Sequence, residues 1–301
     1  MKRTLFLAAL LALALVSACQ SREQQYVGKA IRLMDKYGLF AEGPSWEQFR
    51  AAAKEAKPAS MEEAYEITRT ALKVAGGKHS FLITEEKLQK IAEEDKEIAP
   101  SVTVSEDRIA LITIPQFSGQ TTDEQQRYAR TVLDALPEAD APEDERLEAV
   151  VIDLRGNTGG NMYPMIAAVH RFLPDDVILK FKGRRFTTQV SRSFVLRTVG
   201  IEAQPAIDCR VALLTDSLTA SSGEALLLCF RGLENVRSFG APTAGYASAN
   251  SPHPMPDGSQ LVLTQSCDQA RTGEVFCDDP IAPDEPTDQP LEAALAWLRS
   301  R

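Results

Sequence analysis

Two apolar runs that each end in a turn of small residues most constrain the fold of this 301-residue chain. Residues 149–154 lead into Arg-Gly-Asn-Thr-Gly-Gly, and residues 211–215 lead through Thr-Ala-Ser-Ser-Gly-Glu into the apolar residues 225–228. Such runs are typical of buried strands, and the small residues mark the turns into the helices that follow. Because strand and helix patterns alternate after residue 105, the sequence predicts an α/β core.

The beginning of the chain has the character of a targeting segment. An apolar stretch at residues 5–16 follows Lys2 and Arg3 and is too short to span a bilayer as a helix. The next residues, Val-Ser-Ala-Cys, resemble the lipobox of bacterial lipoproteins, in which the cysteine, here Cys19, is acylated and becomes the mature N-terminus. An ordinary secretory signal with an incidental cysteine is the alternative. Because Gln20 rather than Asp follows, the resemblance implies an exported lipoprotein of the outer membrane that faces the periplasm.

The net charge limits the kinds of partner that the protein can bind, and the hydrophobic periodicity indicates where its regions begin and end. The net charge is −9 and no basic run occurs, which argues against nucleic acid as a partner. Helical periodicity ends at the pair Gly76-Gly77. We expect a signal peptide at residues 1–18, a lipidated tether at 19–25, an N-terminal helical region at 26–75, a histidine-bearing loop and small cap at 76–105, and the α/β core at 106–301.

The cysteines after Cys19 allow a disulfide but no metal site. Cys267 and Cys277 flank a stretch that reads as a hairpin loop, so they can face each other, whereas Cys209 and Cys229 lie in apolar surroundings typical of buried thiols. Three pairings of the four remain open. No cysteine spacing resembles a zinc site, and we predict no metal or cofactor.

The segment Thr-Ala-Ser-Ser-Gly-Glu at residues 219–224 is the first of three candidate clusters. A serine at a helix N-terminus lies where free backbone N–H groups and the helix dipole favour developing negative charge, which suits a nucleophile. The alternative is an N-cap, because serine and threonine favour helix starts through local hydrogen bonding.

The other two clusters are glycine-rich. Gly-Gly-Lys-His-Ser at residues 76–80 presents His79, and histidine suits general-base work near neutral pH, although a surface or capping histidine is the alternative. Asp-Leu-Arg-Gly-Asn-Thr-Gly-Gly at residues 153–160 can direct backbone N–H groups into a cleft as an oxyanion hole. A tight turn is its alternative, and the Walker pattern that would favour phosphate is absent.

Together these clusters resemble the C-terminal processing, or tail-specific, serine peptidase family. The match covers about residues 60–290 and also includes Gly-x-x-Thr-Ala-Gly at residues 240–245 and Ile-Ala-Pro-Asp at residues 281–284. The resemblance implies a core related to the ClpP/crotonase fold, with Ser221 as nucleophile. It also implies an oxyanion hole formed by Ser222 and one glycine of the pair Gly159 and Gly160, with Gly159 preferred.

One departure from the family pattern bears on the catalytic base. Processing enzymes of the family use a lysine directly after Gly-x-x-Thr-x-Gly, and this chain has Tyr246 there and no lysine after Lys182. A Ser–Lys dyad of that type is therefore excluded. The branch that resembles tricorn and the nisin-resistance peptidase uses a histidine from a glycine-rich loop, which implies His79 as base. The candidates to orient this histidine are Ser80, Glu224, Asp279 and Asp284, each with a structural role as the alternative.

A second departure concerns a domain that processing enzymes carry before the core. About thirty residues separate His79 from the strand pattern at Ile109, which is too few for a PDZ domain. We expect none.

The predicted function is that of a lipid-anchored serine endopeptidase of the cell envelope. Its expected partners are a peptide or unfolded protein substrate and the membrane, reached through the lipid. One alternative is a non-catalytic peptide-binding lipoprotein with the same fold. The other, an esterase or amidase, is disfavoured because the Gly-x-Ser-x-Gly elbow is missing around Ser221.

Overall fold

The computed structural model describes residues 20–94, 98–138 and 140–300 of the chain. The predicted signal peptide and Cys19 lie outside the described residues. None of the helices within these ranges is long and apolar enough to cross a membrane. The described residues form two compact units, one made of residues up to Ile91 with Asn250–Gln265, the other of Ala92–Ala249 with Ser266–Arg301.

The elements of the described residues follow one another in this order: α1 (Arg22–Tyr37), α2 (Gly43–Glu55), α3 (Met61–Gly76), β1 (Phe81–Ile83), α4 (Glu85–Glu94), β2 (Ser101–Val104), β3 (Ile109–Thr113), α5 (Thr122–Leu133), β4 (Ala149–Asp153), α6 (Met162–Ala168), a 3-10 turn (His170–Phe172), β5 (Val177–Gly183), β6 (Thr187–Ser191), α7 (Arg192–Val199), β7 (Arg210–Thr215), α8 (Ser222–Phe230), β8 (Val236–Gly240), β9 (Ser248–Pro254), β10 (Gln260–Gln269), β11 (Val275–Phe276), β12 (Glu285–Pro286) and α9 (Pro290–Arg299).

The first unit is built on the amphipathic helices α1, α2 and α3. Local caps start two of them: the Ser21 hydroxyl accepts a hydrogen bond from the Gln24 amide, and the Ser60 hydroxyl accepts one from the Glu63 amide. Their apolar faces pack around fully buried side chains that include Trp46. Helical periodicity within residues 26–75 corresponds to these elements, but α1 begins at Arg22, inside the segment expected to be a tether, because Ser21 caps it there.

A later segment, Asn250–Gln265, completes the first unit. The Tyr26 hydroxyl lies 2.8 Å from Ser259 Oγ, and the Tyr65 hydroxyl donates to Asp257 at 2.6 Å. Within this unit the first residues of β10 pair antiparallel with β1. The last residues of β10, Asp268 and Gln269, pair with β11. The stretch between Cys267 and Cys277 thus forms a hairpin, as its sequence predicts.

The second unit contains the predicted α/β core, and this fold class is confirmed. Its main sheet has the order β12-β8-β7-β4-β3-β2, in which only the pair β2–β3 is antiparallel. Val150 and Ile152 of β4 face one apolar cluster with α5, α6 and α8, whereas Val151 faces a second cluster with α9. Because both faces of the sheet are buried, the central strands are apolar throughout.

A smaller antiparallel group of strands carries the disulfide of this unit. β5 pairs with β6 and with the last residues of β10. A disulfide joins Cys267 of β10 to Cys277 just after β11, while Cys209 and Cys229 are free and buried.

Asp268, next to this disulfide, makes the stability of the fold sensitive to pH. The side chain is 2% exposed, and Oδ1 has no hydrogen-bond partner among the described residues. Burial raises the pKa of Asp268 well above its ordinary value, and the charge of Glu224 adds to the increase. The folded state therefore keeps a proton that the unfolded state releases. The associated stability is complete below about pH 4 and is lost as the pH rises through the raised pKa.

We expect Asp268→Asn to remove this dependence, because the amide has no proton to lose in this range. The free energy of unfolding of the variant minus that of wild type should increase from pH 5 to pH 8, by at most about 1.4 kcal/mol per pH unit. Urea denaturation at a series of pH values measures the difference. A difference that stays constant with pH would contradict the prediction.

Candidate active site

Three loops that carry predicted motifs follow three neighbouring parallel strands. Residues 154–160 follow β4, residues 216–221 follow β7, and residues 241–246 follow β8. Because the carboxyl ends of parallel strands lie at one edge of a sheet, these loops meet there. Backbone bonds of 2.9 Å join them, from the Ala220 amide to Asn157 O and from the Ala244 amide to Thr219 O.

Ser221, the predicted nucleophile, is the residue that precedes α8. It is half-buried and has a φ of 51°, a left-handed value that few residues other than glycine adopt. Such a conformation is costly and is retained where the surroundings enforce it. Here the Ser221 amide donates to Glu224 Oε2 at 2.8 Å, and the Gly223 amide donates to Ala220 O at 2.9 Å.

The turn after β4 places its two glycines against this serine. A Cβ atom on Gly159, whose φ is 108°, would lie 2.8 Å from the Cβ of Ser221. Gly160 forms a parallel bridge with Phe117, and a Cβ there would overlap the Phe117 carbonyl. The Ser222 hydroxyl donates to Gly160 O at 2.6 Å. The structure thus brings Ser221, Ser222, Gly159 and Gly160 together in the second unit.

Asn157 organises this turn, a role that the sequence interpretation did not assign. It is fully buried, and its Oδ1 accepts from the Gly159 amide at 2.9 Å while Nδ2 donates to Ile114 O at 2.8 Å. The Gly159 amide is therefore engaged inside the turn. Within the part of the chain that the structure describes, the Gly160 amide donates no hydrogen bond. The only sequence signal for Asn157 was its position inside the motif.

Glu224 joins the start of α8 to the loop after β8. Its carboxylate is fully buried and accepts four hydrogen bonds: from the amides of Ser221 and Tyr246 at Oε2, and from the Gly245 amide and the Thr243 hydroxyl at Oε1. Burial raises the pKa of Glu224, whereas the four donors oppose that increase. An ordinary acid in the first turn of a helix is exposed to solvent, whereas Glu224 is buried. Because three of its four donors belong to residues 243–246, this carboxylate holds the loop after β8.

His79 and Ser80 belong to the first unit, in the turn between α3 and β1. Asn250 Nδ2 donates to the His79 carbonyl at 2.8 Å. The Ser80 hydroxyl lies 2.9 Å from both Gly76 O and Thr264 Oγ1, and it accepts from the Thr264 amide at 2.8 Å. The predicted orienting residue Ser80 is thus buried in contacts that anchor its own loop.

Three further acids, one of them the predicted Asp284, stabilise loops of the second unit, whereas the predicted Asp279 is exposed. Asp284 Oδ2 accepts from the amide and the hydroxyl of Ser238, both at 2.8 Å. Asp153 binds the Arg155 guanidinium through both carboxylate oxygens, at 2.9 and 2.6 Å. Asp216 accepts from the Gly156 amide at 3.1 Å. These contacts explain why acids and an arginine occur beside the glycines.

His170 has a structural role in the second unit. Its Nδ1 lies 2.7 Å from Ala167 O, and its Nε2 accepts from the Gln204 amide. Burial lowers the pKa of His170. In the described ranges no group of three or more histidine, cysteine or acidic residues has an arrangement that could hold a metal ion.

Comparison with known proteins extends over most of the chain. The nisin-resistance protein of Lactococcus lactis subsp. lactis is 31% identical over 287 residues, which cover 92% of this chain and 87% of that protein. The structure of a lipoprotein from Streptococcus agalactiae superposes with a TM-score of 0.81 at 28% identity, covering 93% of this chain and 96% of that one.

A more distant structure shares the fold alone. The photosystem II D1 C-terminal processing protease has a TM-score of 0.61 at 14% identity and covers 93% of this chain and 98% of its own. A sequence profile of peptidase family S41 matches residues 108–287, which include the three loops at the sheet edge. The resemblance drawn from the motifs is confirmed: the chain belongs to peptidase family S41 and is a serine peptidase.

Proposed function

We propose that this protein is an exported, lipid-anchored endopeptidase that cleaves peptides in the cell envelope, with Ser221 as nucleophile and His79 as general base. The observation that carries the proposal is the position of Ser221. It lies at the start of a buried helix, in a left-handed conformation, directly against Gly159. This arrangement fits a serine presented to a substrate carbonyl beside free amide groups.

The proposed reaction is an acyl transfer in two steps, acylation of Ser221 and then hydrolysis of the acyl-enzyme. Ser221 Oγ attacks the carbonyl carbon of the scissile bond while His79 takes the hydroxyl proton, and the oxygen becomes an oxyanion. Collapse of this intermediate expels the amine, which receives the proton from His79, and water then hydrolyses the acyl-enzyme with His79 again as base.

We assign the oxyanion contacts to the amides of Ser222 and Gly160. The sequence interpretation preferred Gly159, but its amide already donates to Asn157 Oδ1. An N–H group that is bonded inside the turn is a poor donor to a developing charge, whereas the Gly160 amide has no other acceptor among the described residues.

His79 is favoured as base by its motif and by the residue at the alternative position. That position holds Tyr246, whose amide donates to Glu224 at 2.7 Å. No lysine follows Lys182, so the chain has no lysine near this position to act as base. We assign Glu224 to the support of Ser221 rather than to His79, because its recorded bonds connect Ser221 with residues 243–246.

Export and anchoring rest on the N-terminal pattern and on a relative. Residues 16–19 match a lipobox, which assigns acylation to Cys19, and Gln20 favours the outer membrane. The similar protein from Streptococcus agalactiae is described as a lipoprotein. The name of the Lactococcus relative links it to resistance against nisin, so nisin belongs among the peptides tested.

Replacing the two proposed catalytic side chains should abolish peptide hydrolysis. We expect Ser221→Ala to lower kcat by more than about 1,000-fold and His79→Ala to lower it by roughly 10²- to 10⁴-fold. The exposed Ser217, in the same loop, supplies the control Ser217→Ala, which should keep activity. Mass spectrometry of a peptide mixture that includes nisin measures cleavage, and a fluorophosphonate probe reports the reactive serine.

Each contrary result identifies a different error. Full hydrolysis by Ser221→Ala or by His79→Ala would refute that residue's role. A wild-type protein that binds peptides but takes up no probe at Ser221 would be a peptide-binding lipoprotein, and cleavage of esters without peptides would indicate an esterase.

The glycine turn allows a matched pair of substitutions. Both Gly159→Ala and Gly156→Ala force an alanine into a positive φ, which costs about 1–2 kcal/mol of stability in each. Only Gly159→Ala adds a methyl group 2.8 Å from Ser221, because a Cβ on Gly156 meets no atom within 4 Å. We expect the rate of fluorophosphonate labelling to fall about a hundredfold in Gly159→Ala alone. Equal rates in the two variants would contradict the proposed contact.

Glu224→Gln tests the support of the nucleophile. Whichever way the new amide turns, its NH₂ group faces two hydrogen-bond donors, so the loop and Ser221 should shift. We expect kcat to fall about a hundredfold with little change in KM. The exposed Glu234, beyond the other end of α8, gives the control Glu234→Gln. Unchanged kcat in Glu224→Gln would refute the assignment.

A further inference from the structure

We propose that the Cys267–Cys277 disulfide is a positioning element for Ser221, so that full peptidase activity requires the oxidised bond. This inference rests on the proposed function of Ser221. The bond lies in the second unit and joins the end of β10 to the residue that precedes Asp278. Cys267 is buried, whereas Cys277 is half-buried.

One arm of the disulfide supports the loop after β8 from residues 278–281. The Thr243 amide donates to Ile281 O at 3.1 Å, and the Ile281 amide donates to Thr243 Oγ1 at 2.8 Å. A Cβ on Gly245 would lie 2.7 Å from the backbone nitrogen of Pro280, so the two backbones are in close contact there. The residues directly after Cys277 therefore fix the positions of Thr243 and Gly245.

The other arm supports the same loop from β10. The Asp268 amide, next to Cys267, donates to Ala247 O at 3.1 Å. The loop of residues 243–247 thus lies between two backbone segments, and the disulfide joins the residues where those segments begin. A covalent bond at this point limits how far the two segments can separate.

The supported loop reaches Ser221 through Glu224. Thr243 and Gly245 donate to Oε1 of Glu224, and Oε2 accepts from the Ser221 amide at 2.8 Å. A series of direct contacts therefore runs from Cys277 to the nucleophile. The last of these contacts, from the Ser221 amide to Glu224, holds the serine at a positive φ that is energetically costly. If the loop became looser, Ser221 should therefore leave this conformation.

Besides the disulfide, strand pairing, an ion pair and apolar packing hold the hairpin. β10 and β11 share two residue pairs, Asp268 with Phe276 and Gln269 with Val275. The Arg231 guanidinium donates to both carboxylate oxygens of Glu274, at 2.9 and 3.1 Å, and this pair is partly exposed. Ile281 is fully buried in the apolar core and Phe276 packs against that core, whereas Cys277 and Asp278 are half-buried and Asp279 and Pro280 are exposed. We therefore expect reduction to loosen residues 277–280, which lie before Ile281, and to leave the core folded.

The chemistry of the switch is thiol–disulfide exchange. A dithiol such as dithiothreitol attacks one sulfur as a thiolate and forms a mixed disulfide. Its second thiolate then displaces the protein sulfur. The protein gains two electrons and two protons as Cys267 and Cys277 thiols, and the dithiol becomes a cyclic disulfide. An oxidising compartment outside the cytoplasm keeps the bond formed.

The test compares oxidised and dithiothreitol-reduced full-length protein with the double variant Cys267→Ser/Cys277→Ser. We expect reduction and the double variant to lower kcat and the rate of fluorophosphonate labelling at Ser221 about tenfold or more, with KM and circular dichroism unchanged. Dithiothreitol should have no effect on the double variant, and reoxidation should restore the wild-type rate.

A second variant shows whether the effect passes through the proposed contacts. Thr243→Val removes the hydroxyl that links Ile281 to Glu224. In this variant, reduction should lower the labelling rate much less than in wild type, because the link is already broken. Independent, additive effects would overturn the proposed route.

The remaining outcomes separate this inference from the proposed function. Oxidised wild type that takes up no probe at Ser221 would refute the proposed function itself. Equal labelling of oxidised and reduced wild type would refute only the role of the disulfide. Loss of circular dichroism in step with activity would also overturn the inference, because the bond would then act on the whole fold.

Discussion

The site depends on one buried carboxylate. A charged group without access to water is stable only where hydrogen-bond donors surround it. Glu224 is fully buried and satisfies this requirement with donors from the start of its own helix and from the loop after β8. Because these donors must converge on two oxygen atoms, the loop after β8 is held to the residue that precedes α8. The conformation of Ser221 follows from that constraint.

The parallel sheet makes this convergence possible. Neighbouring strands β4, β7 and β8 end at one edge, so the loops that follow them are adjacent whatever their sequences. Asn157 then joins two of the loops, since its side chain accepts from Gly159 and its carbonyl accepts from Ala220. Buried hydrogen bonds on either side thus offset the cost of the positive φ angles at Ser221 and at the glycines. Strained residues held in this way are typical of functional sites.

Much of the fold and of the site could be predicted from sequence because burial leaves a periodic pattern. The apolar run at residues 149–154 predicts a buried strand from local sequence alone, and the structure contains that strand as β4. The segment Asn250–Gln265 was not predicted to belong with the N-terminal helices. This segment is held in the first unit by pairs such as Tyr26 with Ser259. The two residues are 233 positions apart in the chain, so no local sequence pattern predicts their contact. The choice between Gly159 and Gly160 likewise depends on where a buried asparagine side chain points.

The sequence by itself determined the α/β class, the family, the candidate residues and the exclusion of a lysine base after Lys182. These follow from residue identity, order and periodicity, which the chain carries directly. Only the tertiary structure decided that the Gly159 amide is engaged, that Glu224 supports Ser221, and that the disulfide borders the loop this carboxylate holds. Hydrogen bonds act over about 3 Å, and which distant residues come that close is decided only when the chain is packed.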